Sequence, residues 1–185
     1  MTLLFLSMNP QAYHKLQSEI DDALRTGRAT STPTRPIRDA EAKALPYLQA
    51  CILESLRIWP PAAAASFYKV VPRGGDTVCG HFLPAGTAVS TGANYAVNRN
   101  KKFWGPDADV YRPERWIEAA AEDEARMQAM MRTFDLSFGH GQFVCAGKQL
   151  AMMQLSKVIP EVSFSPLVER NMFVDAENAD RLPSA

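Results

Sequence analysis

The chain has 185 residues, 46% hydrophobic and 22% charged, a balance ordinary for one globular domain with its own core. Lys plus Arg number 20 and Asp plus Glu number 20, so charge gives no reason to expect nucleic acid or an anionic membrane surface as partner. The three separate cysteines, Cys51, Cys79 and Cys145, argue against a disulfide framework or a cysteine-rich zinc site and fit a reducing compartment with a thiol free for other chemistry.

Met1 to Met8 is apolar but short, and lacks the basic start and small-residue cleavage site of a signal peptide. It reads as the last turns of a buried helix, ended by Asn9-Pro10. No apolar run reaches the roughly 18 residues of a membrane span. Tyr13, Leu16, Ile20 and Leu24 recur at helical spacing, which predicts an amphipathic surface helix over Gln11 to Leu24. Arg25 to Arg38 is rich in Thr, Ser, Pro, Gly and Arg and reads as an exposed loop.

Asp39 to Trp59 is the clearest helix, with Leu45, Leu48, Ile52, Leu56 and Trp59 as its apolar stripe. Pro46 interrupts it and is a candidate for its true start; Pro60-Pro61 stops it. Phe67 to Val71, Thr77 to Leu83 and Thr87 to Thr91 read as strands, with turns at Gly74-Gly75 and Pro84-Ala85-Gly86. Asn98 to Trp116 holds aromatics without regular pattern, and Ile117 to Thr133 reads as a short helix plus loop. Phe138 to Gly147 is a glycine-punctuated loop, followed by a helix over Cys145 to Glu161 in which Pro160 threatens the end. The expected fold class is mainly α with a small antiparallel β patch (α+β). No repeat or linker divides the chain.

Chemistry concentrates in Phe138-Gly139-His140-Gly141-Gln142-Phe143-Val144-Cys145-Ala146-Gly147. A cysteine just before a helix has its sulfur near unpaired N–H groups and the positive end of the helix dipole, which favours the thiolate that a soft metal binds. Gly141 permits a positive φ that folds the chain back to aim the sulfur. Ala146 and Gly147 keep the helix start slim enough for a flat macrocycle to approach, and Phe138 can shield the sulfur from water. Each feature alone is weak: a lone cysteine is more often a small buried hydrophobe than a ligand, and His140 reads as a solvent-facing loop histidine. Likewise Glu54 and Arg57, spaced i, i+3, are on their own an exposed helix pair worth a few tenths of a kcal/mol, about 0.2–0.5.

Together Phe138, Gly141, Cys145 and Gly147 resemble the cytochrome P450 signature of Phe, two residues, Gly, three residues, Cys, one residue, Gly. The Glu54-Ser55-Leu56-Arg57 run resembles the family's Glu-x-x-Arg, and Tyr111-Arg112-Pro113-Glu114-Arg115-Trp116 its later Pro-Glu-Arg-aromatic stretch, followed about thirty residues on by the cysteine. Lys69 to Thr77 and Trp104 to Asp109 resemble filamentous-fungal members. The resemblance runs from Met1 to about Glu161, and Glu169 to Ala185 has no family-like pattern. The expected organisation is therefore one segment over 1–185, family-like over 1–161 with a divergent tail at 162–185.

The resemblance implies the C-terminal part of the cytochrome P450 fold, incomplete here. It implies haem (iron protoporphyrin IX) with Cys145 as iron ligand, and Phe138, Gly141, Phe143, Ala146 and Gly147 against the cofactor. It implies a buried structural triad of Glu54, Arg57 and Arg115 that locks the meander to the helix and holds the cysteine loop. Phe143 departs from the pattern: the family usually has Arg or His there, contacting a haem propionate. Ala63, Ala64, Ala65 and Ser66 are the surviving candidates for substrate contact.

The implied activity is a haem-thiolate monooxygenase that inserts one oxygen atom from O2 into a small lipophilic organic substrate. An NADPH-dependent reductase would supply electrons, and fungal secondary metabolism is suggested by association. The family usually sits on the cytosolic face of the endoplasmic reticulum membrane; as written, the chain would be cytoplasmic. The tail and the lack of the distal helix with its acidic-Thr pair lead to the expectation of a frameshifted, mis-spliced or otherwise truncated product. The alternative function is accordingly a non-catalytic remnant lacking that oxygen-activating helix. A small interaction module is the remaining, weaker reading.

Overall fold

The computed structural model describes residues 1–32, 34–60, 68–90 and 96–163. Helix α1 (Thr2–Met8) ends at Asn9, whose Nδ2 donates to the Phe5 carbonyl at 2.7 Å. Pro10, which has no N–H to satisfy, opens α2 (Pro10–Arg25) at its first turn. Ala12, Tyr13, Leu16, Ile20 and Ala23 form the buried stripe of α2, at the spacing the sequence predicts. The following loop is not simply exposed. Ala29 and Ile37 are buried, and Glu161 accepts from Ser31 Oγ at 2.8 Å and from the Ile37 N–H at 2.7 Å. That anchor lies 124 residues away from Ile37, so local composition could not reveal it.

The helix expected over Asp39 to Trp59 is two helices, α3 (Asp39–Lys43) and α4 (Pro46–Ile58). The break has a clear cause. Pro46 cannot continue an i to i−4 ladder but suits a first turn, and Glu19 of α2 caps the new N-terminus. Its carboxylate accepts the N–H groups of Tyr47 at 2.8 Å and Leu48 at 2.9 Å. Burial pushes the Glu19 carboxyl up, against the opposing effect of those two hydrogen bonds.

Helix α4 is the hub of the fold, in contact with α1, α2 and α3 and with three later helices, α6 (Glu114–Glu122), α7 (Glu124–Asp135) and α8 (Lys148–Ser163). Eleven of its 13 residues are buried. An exposed Glu54/Arg57 pair is thereby corrected: covered on all sides, α4 has no solvent face on which to carry it.

Four short strands follow: β1 (Lys69–Val70), β2 (Asp76–Val78), β3 (His81–Leu83) and β4 (Ala88–Val89). They form two antiparallel pairs, β1 with β4 and β2 with β3. The single strand expected over Thr77 to Leu83 is a hairpin. Its two-residue turn, Cys79-Gly80, has φ of +50° and +83°, the pair of positive values that a type I′ turn requires. The cysteine at the first turn position hid that signal, because Asn, Asp or Gly is the usual occupant.

Helix α5 (Lys101–Trp104) and the pair α6 and α7 (Glu124–Asp135) lead into two 3-10 turns, Leu136–Phe138 and Gly141–Phe143. The region expected as a short helix plus loop is therefore two helices hinged at Asp123, which caps α7 by accepting the Arg126 N–H at 2.9 Å. A row of aromatic contacts runs through this half of the core: Trp104 to Trp116 at 5.5 Å, Trp116 to Phe134 at 6.1 Å and Phe134 to Phe138 at 5.6 Å. Helix α8 starts at Lys148, three residues later than expected, and contains Pro160. The lost hydrogen bond falls in its final turn, three residues before Ser163 ends it.

Candidate functional site

The site begins with a carboxylate that no water can reach. Glu54 is fully buried, so its charge must be met by donors inside the protein. Five supply it. Arg57 donates through Nη2 to Oε1 at 2.8 Å and through Nε to Oε2 at 2.9 Å. Arg115 Nε reaches Oε1 at 2.9 Å, the Arg112 N–H reaches Oε1 at 3.0 Å, and Trp116 Nε1 reaches Oε2 at 2.9 Å.

Both guanidiniums also donate to backbone carbonyls of the 98–110 segment. Arg57 Nη1 donates to Asn98 at 2.6 Å and Ala108 at 2.8 Å. Arg115 donates to Trp104 at 3.0 Å and Asp107 at 2.9 Å. This is how the stretch is held: the carbonyls of Asn98, Trp104, Asp107 and Ala108 are met by two buried cations. The Arg57 guanidinium also lies 5.0 Å from the Trp104 ring centroid, a cation–π contact in a desolvated setting.

One carboxylate between two guanidiniums would leave a net positive charge. Asp107 and Arg112 extend the network, with Arg115 Nη1 to Asp107 at 3.3 Å, Arg112 Nε to Asp107 at 2.7 Å and Arg112 Nη1 to Glu118 at 2.6 Å. Three carboxylates then face three guanidiniums. Burial works to raise the Asp107 carboxyl, but the Arg112 hydrogen bond and the nearby Arg115 charge outweigh it and hold it below the usual range. Gly105, at φ +97°, leaves room for this carboxylate, since a Cβ there would lie 3.1 Å from Asp107 Oδ1. Asp107, Arg112 and Trp116 escape sequence reasoning as network members. They lie close to Arg115 along the chain, but only the fold turns their polar atoms into the network around Glu54.

The cysteine loop is clasped at its base. Lys148 Nζ donates to Asp135 at 2.7 Å and lies 5.7 Å from the Phe138 ring centroid. The Cys145 N–H donates to the Phe138 carbonyl at 2.7 Å, which fixes the backbone carrying the sulfur. Gly139, at φ +83°, makes this closure possible, because a Cβ there would collide with the Phe143 carbonyl oxygen. Gly141 also has positive φ, +60°, but open space around it. Gly139 is thus the tighter requirement, though both glycines were visible in the motif.

Cys145 is exposed, with Phe143, Val144, Ala146, Gly147 and Leu150 also exposed around it. Phe138 is part-buried, its ring engaged with Phe134 and Lys148, and the thiol stays open to solvent. Helix α8 begins three residues after Cys145, so the sulfur precedes the helix rather than belonging to its first turn. Lys69 Nζ, on β1, lies 5.1 Å from the Phe143 ring centroid. The site fits a flat apolar macrocycle with a soft metal at its centre. The donor is one accessible sulfur, and Phe143, Val144, Ala146 and Leu150 give it an exposed apolar rim. Ala63, Ala64, Ala65 and Ser66 lie outside the described residues. No helix among the described residues is long and apolar enough to cross a membrane.

The cytochrome P450 family model matches residues 1–162. Similar curated proteins include the cytochrome P450 monooxygenase abl1 of Leptosphaeria maculans, 47% identical over 152 residues, which cover 82% of this chain and 25% of the relative. The cytochrome P450 monooxygenase ABA1 of Pyricularia oryzae is 44% identical over 161 residues, 87% of this chain and 30% of the relative. The cytochrome P450 monooxygenase mpaDE of Penicillium roqueforti is 41% identical over 148 residues, 79% of this chain and 16% of the relative. The chain thus spans less than a third of the length of these relatives. With the matched segment covering nearly all of the described residues, the chain belongs to the cytochrome P450 family.

Proposed function

We propose that this chain carries the thiolate side of a haem monooxygenase, with Cys145 as the iron ligand. The observation that carries the reading is the exposed Cys145 sulfur on a loop closed by its own N–H to the Phe138 carbonyl. Phe138, Gly141, Phe143, Ala146 and Gly147 would form the surface against which the macrocycle rests. Phe138 anchors the loop, Gly141 bends it, and Ala146 and Gly147 leave the approach to the sulfur clear. Haem, when bound, supplies dioxygen activation, and thiolate donation favours O–O cleavage.

The reaction would place one oxygen atom of O2 in a small lipophilic substrate and release the other as water. Electrons would come from an NADPH-dependent reductase. Location on the cytosolic face of the endoplasmic reticulum and a place in fungal secondary metabolism are supported by family association and the fungal relatives. The Glu54, Arg57 and Arg115 network would act structurally, holding the 98–116 segment against α4 so that the cysteine loop keeps its shape.

A second reading, a chain that keeps these residues without holding haem, draws support from Phe143 standing where the family usually has a cation. Lys69 Nζ, 5.1 Å from that ring centroid, puts an ammonium beside Phe143 and supports the first reading. Reconstitution with haemin, reduction and carbon monoxide binding separate them. Haem uptake with the long-wavelength Soret band of thiolate ligation supports the first, and no uptake supports the second.

A further inference from the structure

We propose that Asn98 is a positioning residue that ties the buried Glu54–Arg57 network to the Cys145 loop; its role toward the ligand rests on the haem-thiolate reading above. Asn98 is 1% exposed. Its carbonyl accepts Arg57 Nη1 at 2.6 Å, and its side-chain Nδ2 donates to Ser137 Oγ at 3.0 Å. Ser137 immediately precedes Phe138, whose carbonyl accepts the Cys145 N–H at 2.7 Å. A continuous bonded route therefore runs from the Glu54 carboxylate through Arg57, Asn98, Ser137 and Phe138 to the backbone of Cys145.

The segment bearing Asn98 is itself fixed. Trp104 Nε1 donates to the Val97 carbonyl at 3.0 Å, and Arg99 Nη2 donates to the Ile58 carbonyl at 3.3 Å. A buried primary amide is retained only where its donors are met, and here the donor aims at the turn that starts the cysteine loop. Lys148 and Asp135 clasp the loop at its base, and Asn98 ties the turn beside that base to the buried network.

Because Arg57 binds the backbone carbonyl of Asn98, Asn98→Ala keeps that acceptor and removes only the arm to Ser137. The test measures amide exchange of Cys145 and its rate of thiol modification in the 185-residue chain, with Asn98→Ala, Ser137→Ala, Ser137→Thr and the double alanine variant. Each alanine variant is expected to speed Cys145 amide exchange about three- to tenfold. The double variant should exceed neither single one, because the two share one bond, and Ser137→Thr, which keeps the hydroxyl, should behave as the parent.

In haem-loaded chain, both alanine variants should move part of the reduced carbonyl spectrum from the thiolate-type to the thiol-type Soret band. Unchanged exchange in both single variants, or effects that add, would overturn the proposal. Ser137 is only part-buried, so its variants give an answer even if Asn98→Ala fails to fold. A chain that takes up no haem would sink the haem-thiolate reading, while the exchange data would still decide whether Asn98 governs the loop.

Discussion

Trp116 Nε1 donates to Glu54 Oε2 at 2.9 Å, which makes the tryptophan a polar member of the buried network as well as part of the aromatic row beside it. Trp116→Phe keeps most of the ring volume and removes this one donor. A hydrogen bond to a buried charge is worth about 1.5–3 kcal/mol, so the variant should lose about 2 kcal/mol of unfolding free energy by urea titration. A loss within error of zero would mean that the other four donors carry Glu54 alone.

Glu54→Ala and Arg57→Ala should each be far more damaging. The first strands two buried guanidiniums without their shared carboxylate, and the second leaves the Asn98 and Ala108 carbonyls short of a donor. Breaking one partner of a buried pair costs about 3–5 kcal/mol, a large share of a typical domain's stability. Both variants should be unfolded or close to it by circular dichroism at physiological temperature. Near-parental melting of either one would contradict the network's structural role.

The three thiols should separate by reactivity. Burial pushes the Cys51 thiol up to about 12, whereas Cys79 and Cys145 are exposed. A thiol-reactive disulfide reagent should modify two thiols promptly in the native chain and the third only on unfolding. Prompt reaction of Cys51, located by peptide mapping, would show that α4 is not packed as described.

Acid should act through Asp107. Its folded-state carboxyl is held below its ordinary value. Its contribution is therefore fully present above the unfolded value of about 4 and is lost as pH falls through the lower folded value. Asp107→Asn should flatten the acid limb of the stability profile below about pH 4 and leave it unchanged from there to neutral. Parallel profiles for parent and variant would place the acid sensitivity elsewhere, for example at Glu114, where burial is outweighed by hydrogen bonds from Lys15 and Tyr47 and the carboxyl is also lowered.

Local spacing makes some elements legible in the sequence, while contacts made only by the fold leave others hidden. Leu16, Ile20, Leu48 and Ile52 announce their helices because amphipathic spacing is local. Glu19 and Glu161 do not, since each caps or anchors backbone reached only through the fold. The Cys145 motif and the Glu54, Arg57 and Arg115 types were legible by resemblance, and their geometry adds Asp107, Asn98 and Trp116. Gly139 was in plain view, but only the collision its Cβ would make with Phe143 distinguishes it from Gly141.

The most direct test of the central claim is the reduced carbon monoxide spectrum of haemin-reconstituted chain, compared between parent and Cys145→Ala. The parent should show a thiolate-type Soret band that vanishes in the variant, with the fold retained because Cys145 is exposed. An identical band in both, or no haem uptake by a folded parent chain, would contradict Cys145 as the ligand.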